Sequence, residues 1–114
     1  MKTSAFVVIS AALLSACASP QEARDRGPVA TYFSAKPAQV VADCVASAWE
    51  STYGVSQPVT SRVTAQGVTV QIAHQHNTMV LLDVENHQGG SISKYFKGTV
   101  WLEGKWDKAV QECQ

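Results

Sequence analysis

The sequence lacks the common catalytic signatures. It contains no G-x-S-x-G nucleophile elbow, no G-x-x-x-x-G-K phosphate loop and no H-E-x-x-H zinc motif. It also lacks an excess of positive charge, with 9 Lys and Arg against 9 Asp and Glu. A nucleic-acid surface needs a basic face and a pI above about 9, so this balance argues against nucleic-acid partners. Lys94-Tyr95-Phe96-Lys97 does interleave aromatic and basic residues, but two lysines are a small footprint and read as an ordinary strand with solvated ends. Long apolar runs are missing as well. The longest, about ten residues from Ala5 to Leu14, is half of the roughly 20 needed to span a bilayer. Cysteine is scarce, at three residues: Cys17, Cys44 and Cys113.

What is present begins with that short run. MKTSAFVVISAALLSAC has one positive charge at Lys2, an apolar stretch of secretory length and then small residues, the layout of an exported leader. Leu14-Ser15-Ala16-Cys17 resembles the lipobox of bacterial lipoproteins. The resemblance covers the first 17 residues and implies that residues 1–16 are a cleaved signal peptide and that Cys17 is lipidated. One fatty chain holds a protein weakly and two or three hold it durably, at about 0.8 kcal/mol per buried methylene, so the expected partner of the N-terminus is a membrane. In this class an aspartate after the cysteine favours inner-membrane retention. Ala18 and Ser19 stand there, and the expected location is the outer membrane, facing the periplasm or the cell surface.

Residues 17–36 then read as the lipidated cysteine and a flexible tether. ASPQEARDRGPVATYFSAK is rich in Pro, Gly and charge, and as a coil it would reach roughly 25 Å, with about 60 Å as its extended limit. Residues 37–114 read as one small α+β domain. Pro37 suits a first helical turn, and Val41, Cys44, Val45, Ala48, Trp49 and Thr52 recur at spacings of three and four, which predicts a helix over 37–53 ended by Gly54. Leu102, Trp106, Ala109, Val110 and Cys113 form a second stripe of that period. Gly104 leaves open whether that helix starts near Thr99 or only after the glycine.

Between the helices the period is two. Val59, Ser61 and Val63 lead to a turn at Gln66-Gly67, followed by Val68, Val70 and Ile72, then by Val80, Leu82 and Val84. Matching apolar faces pairs Ile72 with Val80, Val70 with Leu82 and Val68 with Val84, with Gln75-His76-Asn77 as the loop. The same test pairs Val63 with Val70 and Val59 with His74. A fourth strand from Ser91 to Phe96 has no settled register, because Lys94 falls between Ile92 and Phe96. The expected fold is α-β-β-β-β-α, an antiparallel four-stranded meander covered on one face by the N- and C-terminal helices. An exported compartment is oxidising, so Cys44 and Cys113 are expected to join those helices as a disulfide.

Three groups of side chains remain to be weighed for function. His74 and His76 form H-x-H, the lesser candidate, a two-ligand copper or zinc site; His87 lies at the far end of the same hairpin, and no metal or other cofactor is expected. Asp83 and Glu85 share a strand face as glycosidase carboxylates do, but such pairs are ordinarily just solvated. Gln71, Ala73, Met79 and Leu81 form an apolar-centred patch on the outer sheet face, either a candidate partner surface or a patch covered by the tether or by Trp101. The functional expectation is a non-catalytic binding or structural lipoprotein with an envelope protein or the cell wall as partner. The alternative is an inhibitor or immunity protein against a periplasmic hydrolase, although the inhibitory loop of known lysozyme-inhibitor lipoproteins is not evident.

Overall fold

A computed structural model describes residues 19–52, 58–74, 77–98 and 104–114. Its elements are α1 (Pro20–Asp25), β1 (Ala30–Ser34), α2 (Ala38–Thr52), β2 (Val59–Val63), β3 (Gly67–His74), β4 (Asn77–His87), β5 (Gly90–Lys97) and α3 (Lys105–Glu112). The class is α+β, with a five-stranded antiparallel sheet in the order β1-β5-β4-β3-β2. The expectation of four strands is corrected by β1, which pairs along β5 from Ala30 opposite Tyr95 to Ser34 opposite Ser91.

Helix α2 explains how this order arises. The chain leaves β1 at one edge, crosses the inner face as α2 and starts β2 at the other edge, from which β2 to β5 return as a meander. Ala38, Val41, Ala42, Val45 and Trp49, at spacings of three and four, are all buried, so one stripe of α2 meets the sheet. Opposite it lie Val68, Val70 and Ile72 of β3 with Val80, Leu82 and Val84 of β4. The β3–β4 register pairs them as the apolar faces require. Trp49 occupies the centre. Its ring stands edge-on to Trp106 at 5.9 Å and its Nε1 donates to the Trp106 carbonyl at 3.3 Å, so a buried indole keeps a partner for its polar atom.

Helix α3 begins after Gly104 and buries Trp106, Ala109 and Val110 against the same core. The Cys44–Cys113 disulfide joins α2 to the end of α3, with Cα atoms 5.7 Å apart. Cys113 is buried whereas Cys44 is exposed, so the bridge closes over the core from its rim.

Two details of register differ from expectation. Val63 pairs with Val68 and Val59 with Ile72, two residues from the predicted match, because Thr64 N–H donates to the Gly67 carbonyl and Ala65-Gln66 form the turn. Gly67 is not a turn residue at all. It lies in β3 where a Cβ would run into the Val84 carbonyl, and a shift of two preserves the faces. At the other end of β3 a register shift between Ile72 and Ala73 brings Asn77 opposite His74, so Asn77 belongs to β4 and not to a loop.

The stretch read as a flexible tether is the larger correction. Ser19 caps α1, accepting from the Glu22 amide at 3.1 Å, and Pro20 occupies the first turn. Helix α1 lies on the outer face of the sheet, where Ala23, Leu81 and Phe96 form a second buried cluster. The molecule is therefore covered on both faces in part, and this resolves β5. Ser93 and Tyr95 face α2, while Phe96 faces α1.

Candidate functional site

The outer face carries the polar chemistry of the domain. Antiparallel pairing places Lys94 beside Asp83, Asp83 beside Thr69, and Thr69 beside Arg62, one row across β5, β4, β3 and β2. Arg24 reaches down onto this row from α1. Its Nε donates to Asp83 Oδ2 at 2.7 Å and its Nη2 to Oδ1 at 2.9 Å, while Thr69 Oγ1 donates to Oδ1 at 2.7 Å. A two-pronged guanidinium–carboxylate contact is both strong and directional, so it locks the rotation of α1 on the sheet. Burial pushes the Asp83 carboxyl up, but hydrogen bonds from Arg24 and Thr69 and the charges of Arg24 and Lys94 outweigh it and hold the group below the usual carboxylate range. Hydrogen bonding to Asp83 raises Arg24 in turn, against the effect of its own burial.

Two clefts flank this contact. One, of about 260 Å³, lies between Arg24, Arg62, Gln66, Asp83 and Glu85. The other, about 320 Å³, runs from Pro20 and Arg24 to Thr60, Ser61, Arg62 and Gln71. Glu85, the second acid of the strand pair, takes a hydrogen bond from Lys94 at 3.2 Å. Both carboxylates thus have cationic partners. A third cleft, about 460 Å³, lies at the β1 edge between Phe33, Ser34, His87 and the Gln88-Gly89 turn. Gln88 and Gly89 have φ of 46° and 83°, the left-handed pair that a two-residue hairpin turn demands. Phe33 is 72% exposed there.

The expected partner patch is not a surface. Leu81 is fully buried under α1 with Ala23 and Phe96, Met79 packs against the α2-side core next to the register shift, and Gln71 and Ala73 are half-buried. Leu81, the centre of the patch, is covered by the segment read as a tether. The signal for that cover is Ser19-Pro20-Gln21-Glu22, a capping serine with Glu three residues on and Pro at the first turn. Of the H-x-H pair, His74 ends β3, and His76 lies outside the described residues, as do Cys17 and Trp101. His87 ends β4 at its other terminus. Among the described residues, no group of three or more His, Cys, Asp or Glu is placed to hold a metal ion, and no helix is long and apolar enough to cross a membrane.

Comparisons with protein-family models, curated proteins and solved structures give no match.

Proposed function

We propose that this protein is a lipid-anchored component of the bacterial cell envelope with a non-catalytic binding role, held in the outer membrane through Cys17. The observation that carries this reading is Leu14-Ser15-Ala16-Cys17 at the end of a short apolar run, directly ahead of the capped start of α1. The Cys44–Cys113 bridge suits an oxidising compartment. A binding role is supported by how the acids are used. A general acid works best with a pKa near the ambient pH, whereas Asp83 is held low by Arg24 and Thr69, in service of docking α1. Phe33, exposed beside the β1-edge cleft, is the position from which an envelope protein or the cell wall is engaged.

The test is made in cells on the full chain. Growth with a labelled fatty acid, followed by intact-mass analysis, is expected to show an acylated chain starting at Cys17, and Cys17→Ala is expected to abolish both label and cleavage. A photoreactive analogue at Phe33 is expected to give one reproducible adduct. An uncut N-terminus with a bare thiol would remove the anchor; loss of every adduct would remove the partner role of the β1 edge. An adduct with a wall hydrolase would move the role to inhibition.

A further inference from the structure

The chain enters the fold at one particular edge of the sheet. Pro20, at the start of α1, shares a cleft with Thr60, Ser61 and Arg62 of β2. From there α1 crosses the outer face toward β4 and β5, and Val29, past its end, donates to the Tyr95 carbonyl at 2.8 Å on the way into β1 at the opposite edge. Between Cys17 and Ser19 stands just Ala18, and two Cα steps span at most about 7 Å. The inference below rests on the lipoprotein reading, in which acyl chains hang from Cys17. In that reading the lipid surface meets the domain next to β2, with almost no slack.

Two surfaces border this entrance, and they differ in charge. The exposed flank of α1 shows neutral Gln21 with the acids Glu22 and Asp25, and Arg26 at its end offsets one of them, which leaves this flank net acidic and disfavoured against an anionic headgroup layer. Strand β2 shows Thr60, Ser61, Arg62 and Val63, all exposed and none of them acidic. Its backbone adds donors. Because Thr64 and Gly67 form a hydrogen-bonded pair, Arg62 and Thr60 bond β3 in alternation, so the amides and carbonyls of Val59, Ser61 and Val63 point away from it. Among the described residues no strand lies beyond β2 to take them. Val63 is 73% exposed on this same edge strand.

We propose that the β2 edge is a lipid-facing surface, where Arg62 and the outward-facing amides of Val59, Ser61 and Val63 bind headgroup phosphates. The sheet then stands on the membrane with β1 outermost. Four inter-strand steps of about 4.8 Å place β1 roughly 19 Å farther out than β2, which carries Phe33 clear of the lipid and toward a partner.

The test uses full-length acylated protein in vesicles of phosphatidylethanolamine and phosphatidylglycerol with a nitroxide on the headgroup. A fluorophore is attached through Val63→Cys in one sample and Phe33→Cys in another, with the native bridge left oxidised. Both positions are exposed, so neither label disturbs the core. Emission at position 63 is expected to be quenched several-fold more than at position 33, and Arg62→Glu is expected to reduce that difference. Equal quenching means a freely tumbling domain, and stronger quenching at 33 means the reverse orientation; either overturns the proposal while leaving the anchor intact. Disulfide-linked dimers of the unlabelled Val63→Cys protein, with no nitroxide quenching of the labelled sample, would assign the edge to pairing with a second copy and also overturn it. Protein that fails to float with the vesicles and has a bare Cys17 by mass overturns the lipoprotein reading and this inference together.

Discussion

Removing the disulfide should cost a large part of the stability of this domain, in a way that shows where the energy comes from. The bridge closes a loop with a sequence separation of 69. In the chain-entropy account, cross-linking a loop of that length contributes about 4 kcal/mol, by restricting the unfolded chain. The native structure gives a reason for the domain to need it. Helix α3 has 8 residues, fewer than the roughly 12–15 at which an isolated helix becomes even marginal in water, and it is held by Trp106, Ala109, Val110 and the bridge. Replacing both cysteines with alanine avoids placing a hydroxyl at the buried 113 position, and Cys44 is exposed, so lost packing is the smaller contribution. Against a total on the order of 5–15 kcal/mol for a domain, a loss of about 4 lowers the Tm by about 16–32 °C. Urea unfolding of the wild type and the Cys44→Ala/Cys113→Ala variant measures the difference. A lower midpoint together with a steeper slope is expected, because the uncrosslinked unfolded chain exposes more surface. A loss under about 1 kcal/mol with an unchanged slope would refute the reasoning and assign the bridge to a role other than stability.

Two further outcomes test the outer layer. Leu81→Ala leaves a cavity under α1 and is expected to cost about 3 kcal/mol, with amide exchange in residues 21–25 accelerating before that of the α2 core; equal acceleration everywhere would mean that α1 is not a separate layer. Asp83→Asn tests the Arg24 contact through pH. Since the folded Asp83 titrates below its unfolded value, its stabilising contribution is complete above the usual carboxylate range near 4 and is lost as pH falls through the lower folded value. Wild type should therefore lose more stability than the variant on acidification through that window, and parallel pH curves in urea unfolding would refute it.

Which features were legible from the chain follows from their range. The stripes of α2 and α3, the alternation of β3 and β4 and the register joining Val70 to Leu82 all rest on short periods, and a period states directly which side of an element avoids water. The disulfide is expected because both cysteines fall on those sequence stripes and the N-terminal run reads as an exported leader, and the structure joins them. β5 resisted the same treatment. Ile92 and Phe96 share one face and Tyr95 lies on the other, so no single buried side fits, and the pattern makes sense only for a strand covered on both.

The amino-acid sequence by itself determined the helices α2 and α3, the inner faces of the meander and the lipobox resemblance. The tertiary structure alone decided that residues 20–34 belong to the fold, that Leu81 is core and not surface, and that the chain enters beside β2. The physical reason is separation along the chain. Arg24 and Asp83 are 59 residues apart, and a six-residue helix with one buried alanine has too little pattern of its own to announce that a distant strand is waiting for it.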